Sequence, residues 1–287
     1  MDVAELADLL TAPDPEHPLV LLDVRWRLGD PDGHRHYLAG HLPGAVFVDL
    51  DRELAAPPSA EGGRHPLPEA SDLQDAARRW GITRASQIVI YDDASSMAAA
   101  RAWWLLRWAG LYRVSILDGG LAGWLASGGA LESGEVAPVP GDIVLHPGQM
   151  PVVDADGAAR LGADSDAVLL DARAPERFRG ETEPIDPVAG HIPGAVNCPT
   201  GTSMTADGRF LAPETLRVQF AALGVAPDVE VASYCGSGVT AAHQVAALTI
   251  AGFEEVALYP GSWSQWCADP ARPVATNEAT TGVDLPL

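Results

Sequence analysis

Lysine is absent: all 18 basic residues of the 287 are arginines, and they face 39 acidic residues. That absence excludes a lysine Schiff base, attachment of pyridoxal phosphate and the lysine of a phosphate-binding P-loop, because each needs a primary amine. A formal net charge of −21 also argues against nucleic acid or an anionic membrane surface as partner, since both reward basic patches. Cysteine is scarce. Cys198, Cys235 and Cys267 are too few for a disulfide scaffold and odd in number, which predicts at least one free thiol and a reducing, cytoplasmic setting. Long apolar runs are missing as well: the richest, Met97 to Gly110, is broken by Arg101 and Arg107, short of the ~18 uninterrupted residues of a membrane span. Asp2, Glu5 and Asp8 stand where a secretory leader would want positive charge, so none is expected.

What is present is an ordinary globular composition, 47% hydrophobic and 20% charged. The length suggests two domains at the usual ~100–200 residues each. The sequence repeats itself. LLDVR at Leu21 to Arg25 returns as LLDAR at Leu169 to Arg173, and AGHLPGAV at Ala39 to Val46 returns as AGHIPGAV at Ala189 to Val196. IVIYD at Ile88 to Asp92 answers VASYC at Val231 to Cys235, and DGGLAGW ending at Trp124 answers PGSWSQW ending at Trp266. The offset drifts between 150 and 142 residues, as expected of one domain plan duplicated with loop changes rather than a short solenoid repeat.

Within the first copy, Val20 to Val24, Ala45 to Asp49, Ile88 to Tyr91 and Val114 to Leu117 read as buried strands. Ala70 to Trp80 and Ala98 to Ala109 read as helices between them. This alternation predicts an α/β fold in which each domain is a mainly parallel sheet flanked by helices. The Pro- and Gly-rich stretch 131–150 reads as a linker between an N-terminal domain, 1–130, and a C-terminal one, 151–287. The polar tail after Asp269 is expected to be draped or loose.

The duplication separates architecture from chemistry: a residue in both copies serves the fold, whereas one confined to a single copy is a candidate for catalysis. His41 and His191 share a His-Leu/Ile-Pro-Gly frame suited to a tight turn, and both are read as structural. Asp23 with Arg25 and Asp171 with Arg173 recur as internal bracing. The histidines His34, His36 and His41 lack cysteine or carboxylate at ligand spacing, so no metal site is expected.

The copies diverge after the third strand, where YDDASSMAAA from Tyr91 faces YCGSGVTAAH from Tyr234. Cys235 stands at a strand's carboxyl end, before Gly236, Ser237, Gly238, Val239, Thr240 and a helix through Ala251. Two glycines permit a tight loop whose N–H groups converge, and a helix N-terminus adds partial positive charge. Both features lower a thiol's pKa from its free value of ~8.5 and favour an anion formed on it. Strand carboxyl ends are also where open parallel sheets bind ligands. Cys198 and Cys267 have no such cradle and read as small buried hydrophobes. A phosphatase-type loop would carry an arginine six residues after the cysteine, but position 241 is alanine.

CGSGVTA after a strand, the repeated GH(I/L)PGA, and DGG-x3-W paired with GSW-x2-W together resemble the tandem-domain rhodanese-type sulfurtransferases over nearly the whole chain. The resemblance implies two rhodanese-like domains and a persulfide on Cys235, with no metal or organic cofactor. It implies that Asp92 marks a first copy that has lost its cysteine. Neutral Gly236 and Ser237 are similar to the loop of the 3-mercaptopyruvate sulfurtransferases, in which Ser237 would work with His65 of GGRHPLP and Asp51 of VFVDLD. Arg177 would clamp the donor's carboxylate and Arg179 follows it, while Gly236, Gly238, Val239 and Thr240 would line the donor. That subfamily resembles a pattern with a second arginine about nine residues after the first. Here the position is Asp186, and Arg179 or Arg64 is expected to compensate. The implied partners are a small anionic sulfur donor and a thiol or thioredoxin-like acceptor. Thiosulfate:cyanide sulfur transfer and a non-catalytic sulfur-carrier or docking role remain as alternatives.

Overall fold

A computed structural model describes residues 1–276. They form two compact units, each built on a four-stranded, all-parallel sheet. In the first unit the strands are β1 (Leu19–Asp23), β2 (Val46–Phe47), β3 (Gln87–Tyr91) and β4 (Val114–Ile116), in spatial order β2-β1-β3-β4. The second unit repeats the order with β5 (Ala167–Asp171), β6 (Val196–Asn197), β7 (Glu230–Tyr234) and β8 (Val256–Leu258) as β6-β5-β7-β8. All four buried runs read from the first copy are strands, and the flanking helices Ala70–Arg79 and Ala99–Trp108 fall where the pattern put them. The Ala45 to Asp49 run shrinks to two residues. Only Val46 and Phe47 pair with β1, after which the Asp49 carboxylate caps the helix Leu50–Glu53 through the N–H groups of Asp51 and Arg52.

The repeated residues brace these sheets in the same way twice. The Arg25 guanidinium donates to Asp23 Oδ2 at 2.7 Å and to the Gly40 carbonyl at 3.0 Å. Arg173 donates to Asp171 Oδ2 at 2.6 Å and to the Gly190 carbonyl at 2.7 Å, with its plane over the Trp263 ring. His41 and His191 are buried, each with Nδ1 at a backbone carbonyl (Tyr37 and Phe178) and its ring stacked on the aromatic side chain of that same residue. The glycines of the Pro-Gly turns, Gly44 and Gly194, take φ of 76° and 80°, a region open to glycine at no steric cost. Tyr91 and Tyr234 close each core, their hydroxyls accepting from the N–H of Leu42 and Ile192 respectively.

The units do not follow the midpoint of the sequence. The first comprises Met1–Ala56, Leu67–Gln149 and Met204–Phe210; the second comprises Pro57–Pro66, Met150–Ser203 and Leu211 onward. The Pro/Gly-rich stretch after Leu131 groups with the first unit, held by Gly141 N–H to Arg78 O, His146 N–H to Ala109 O and Gln149 N–H to Trp108 O. Beyond Asp269 the chain is draped over the second unit: Pro273 O accepts from Trp266 Nε1, and Ala275 pairs with His191 through both backbone bonds. The rest of that polar tail, 277–287, lies outside the described residues. Among the described residues no helix is long and apolar enough to cross a membrane.

Candidate active site

The site is built where β7 ends. Strand β7 lies beside β5, and the chain has crossed back over β5 from β6 to reach it. That reversal of strand order opens a crevice at the strands' carboxyl ends. Cys235 follows Tyr234 there and is 1% exposed. Gly238, at φ 80°, caps the helix Val239–Ile250, and its N–H points at the Cys235 sulfur, 3.1 Å away. A Cβ on Gly238 would stand 2.5 Å from the Pro260 carbonyl oxygen, so glycine is required both for the backbone angle and for the close approach. The twelve-residue helix that starts there brings the positive end of its dipole to the same loop.

The turn after β8 fixes the loop from its other side. Cys235 N–H donates to Ser262 Oγ at 3.1 Å, Trp263 N–H to Cys235 O at 3.0 Å and Ser264 N–H to Gly236 O at 3.0 Å. Ser262 is fully buried at φ 53°, an αL angle that costs a non-glycine residue of order 1 kcal/mol. Its hydroxyl bridges Cys235 N–H and Tyr259 O. Sequence reasoning did not single out Ser262 or Ser264. The signal was there in the repeat: the residue matching Ser262 is Gly120, at φ 51°, so a serine stands where the other copy uses glycine.

His65 and Ser237 come together. Ser237 Oγ lies 2.8 Å from His65 Nδ1, and both residues are buried. The segment Pro57–Pro66, which carries His65, belongs to the second unit despite its place in the sequence. Asp51 belongs to the first unit, on the helix Leu50–Glu53, and accepts from Trp26 Nε1 at 3.0 Å.

Two guanidiniums converge beside the cysteine loop. A Cβ built on Gly236 would stand 3.1 Å from Arg64 Nη2 and 3.6 Å from Arg177 Nη2. Arg64 is anchored by its own N–H to Ser264 Oγ at 3.0 Å. The Asp186 carboxylate joins the pair, 2.6 Å from Arg64 Nη1 and 3.3 Å from Arg177 Nη2, with its side chain 4% exposed. Glu183 grips Arg177 through Nε and Nη2 at 3.1 and 2.7 Å. Burial alone would raise the Glu183 carboxyl, but hydrogen bonds from Arg177 and the Asp186 backbone outweigh it and hold the group below the usual carboxylate range. Of the two arginines expected to compensate at position 186, Arg64 is the one that bonds Asp186. Arg179 turns outward, exposed, into a two-pronged pair with Glu181. Val239 is buried and Thr240 half-buried at the start of the helix.

The other thiols are poorly suited to chemistry. Burial pushes the Cys198 thiol up to about 12 and raises Cys267 as well. In the first unit, Asp92 fills the place matching Cys235, fully enclosed, its two oxygens accepting from the N–H groups of Ala94, Ser96, Ala98 and Ala99 at 2.8–2.9 Å. Burial raises its pKa against the pull of those four amides. Among the described residues no three or more His, Cys, Asp or Glu side chains are grouped to hold a metal ion.

The rhodanese-like domain model matches residues 2–127 and 154–269. A Mycobacterium tuberculosis protein provisionally named thiosulfate sulfurtransferase SseB is 48% identical over 281 residues, 96% of each chain. A Pseudomonas aeruginosa protein provisionally named 3-mercaptopyruvate sulfurtransferase is 50% identical over 279 residues, again 96% of each. Among solved structures, that of SseA from Escherichia coli, a 3-mercaptopyruvate sulfotransferase, superimposes with a TM-score of 0.78 at 34% identity, covering 92% of this chain and 98% of its own.

Proposed function

Because the chain belongs to the rhodanese-like family, we propose that it is a sulfurtransferase that carries sulfur as a persulfide on Cys235, with 3-mercaptopyruvate as donor. The observation that carries this reading is the Cys235 sulfur, enclosed at a helix N-terminus with the Gly238 N–H aimed at it, one residue removed from the His65–Ser237 pair. The Cys235 thiolate attacks the donor sulfur, the donor's carbon–sulfur bond breaks, and its electron pair leaves on pyruvate as an enolate. Ser237 Oγ protonates the enolate carbon and recovers a proton from His65. An acceptor thiol gives its proton to His65 and attacks the outer persulfide sulfur as a thiolate; the bond between that sulfur and the Cys235 sulfur breaks and the Cys235 thiolate is regenerated.

Departure of an enolate needs a proton; departure of sulfite from thiosulfate does not. The buried His65–Ser237 pair therefore favours the mercaptopyruvate reading. Arg177 is assigned the donor's carboxylate, with Arg64 beside it in the role for which Arg179 was the other candidate, since Arg179 is engaged with Glu181 at the surface. Gly236, Gly238, Val239 and Thr240 are assigned to the lining of the same mouth. The acceptor is a small thiol or a thioredoxin-like protein. Three unpaired cysteines suit a cytoplasmic setting.

Incubation with 3-mercaptopyruvate should add one sulfur atom to Cys235, read by peptide mass mapping, and Cys235→Ser should abolish turnover of 3-mercaptopyruvate and thiosulfate alike. Retained activity in that variant overturns the mechanism. A thiosulfate specificity constant well above that for 3-mercaptopyruvate would overturn the choice of donor.

A further inference from the structure

We propose that Asp186 is a specificity-determining residue that makes the site discriminate against dianionic sulfur donors. The inference rests on the sulfurtransferase reading, because it concerns the donor that Cys235 meets.

Three observations carry it. First, Arg64 and Arg177 both reach within van der Waals distance of a Cβ at Gly236, the residue next to the reacting sulfur. Without Asp186 the cluster would carry one uncompensated positive charge there and attract a dianion most strongly. Second, Asp186 bonds to both, at 2.6 and 3.3 Å, from a nearly water-free position, where screening by solvent and salt is weak. Third, every other charge in the cluster is already matched: Glu183 bonds Arg177 and Arg173, and Asp171 bonds Arg173. Three arginines thus face three carboxylates, and the donor mouth is close to neutral. The Arg64 Nε, buried and without a hydrogen-bond partner, remains as a directional donor.

Such a mouth orients an anion by hydrogen bonding rather than drawing it by net charge. A carboxylate that carries one charge forgoes a single charge's worth of attraction. Thiosulfate carries two and forgoes twice the attraction. The arrangement also lies in rigid parts of the unit, since Arg64 N–H is tied to Ser264, which is itself tied to Gly236 O. Removing the Asp186 charge should therefore leave both arginines near the loop.

The test compares specificity constants for thiosulfate and 3-mercaptopyruvate in the wild type, in Asp186→Asn and Asp186→Ser, and in Asp186→Glu. One unit charge at roughly 8 Å through an effective dielectric of about 30 shifts an equilibrium about tenfold. Both neutral variants should accordingly raise the thiosulfate-to-mercaptopyruvate ratio about tenfold, while Asp186→Glu keeps it within about threefold of the wild type. The use of two neutral side chains of different shape protects the test against one of them failing to fold. An unchanged ratio in a folded neutral variant overturns the proposal. A second arm does not depend on turnover: in the Cys235→Ser background, calorimetric titration with thiosulfate and with pyruvate should show Asp186→Asn tightening the first more than the second. If the wild-type chain turned over neither donor, the sulfurtransferase reading would fall, and the titration would still decide what Asp186 does.

Discussion

His65 Nδ1 lies 2.8 Å from Ser237 Oγ, across 172 residues of sequence, with both residues buried. A buried imidazole–hydroxyl pair whose hydroxyl belongs to the cysteine loop is positioned to move a proton, and only one of the two candidate donors requires that.

Ser237→Ala and His65→Gln should each lower kcat for 3-mercaptopyruvate by about a hundredfold, the usual worth of a positioned proton donor. Thiosulfate turnover should fall by no more than a few-fold. Steady-state kinetics with both donors decide the point, and equal losses would show that the pair serves structure instead.

Gly238→Ala should destabilise the protein by about 2–4 kcal/mol, because the new methyl meets the Pro260 carbonyl at 2.5 Å on a backbone held at φ 80°. Urea denaturation measures the loss. A change under about 0.5 kcal/mol, the range of neutral surface substitutions, would contradict the close approach.

Asp92→Asn should cost about 2–3 kcal/mol, since an amide NH2 cannot accept from two of the four N–H groups now facing the carboxylate and leaves them buried and unpaired. The midpoint of thermal unfolding should drop with no change in the donor preference of the second unit. A variant as stable as the wild type would mean that the loop relaxes around the amide.

Burial pushes the Asp23 carboxyl up from 3.8 to about 6, against the opposing pull of Arg25 and Tyr91. A raised folded-state pKa means that the native chain holds the proton more tightly than the unfolded chain does. The associated stability is full below about pH 4 and is lost as pH rises through 6, a decline of about 3 kcal/mol. Asp23→Asn should flatten the stability profile over that window, whatever its effect on absolute stability. Parallel profiles for variant and wild type would refute the assignment.

The sequence made the cysteine loop, the duplication and the sheets legible for a common reason: each rests on local chemistry. Glycines at Gly236 and Gly238, a strand before them and an apolar helix after them suffice to predict a strand–loop–helix anion cradle. Repeats such as His41/His191 and Arg25/Arg173 pointed to bracing because a shared residue must serve what the copies share. Pairings distant in sequence were not legible. Arg64 and Asp186 are 122 positions apart, and nothing in either neighbourhood says that they meet. Position 186 read as the loss of a cation, whereas its carboxylate holds a cation supplied from elsewhere. The strand at Ala45 to Asp49 is short because buried apolar residues report burial and not strand length: Val48 is buried and its N–H still reaches Asp23 O at 2.9 Å, but the chain then turns into the helix capped by Asp49.

The allocation of segments has a consequence for how the chain can be divided. The unit that holds Cys235 takes Arg64 and His65 from the first half of the sequence, and the other unit takes Met204–Phe210 from the second. A gene split at the repeat boundary would encode two incomplete proteins, neither with the residues assembled around the cysteine. The copy without a thiol is therefore needed in the same polypeptide as the copy that has one, because its half of the sequence carries Arg64 and His65.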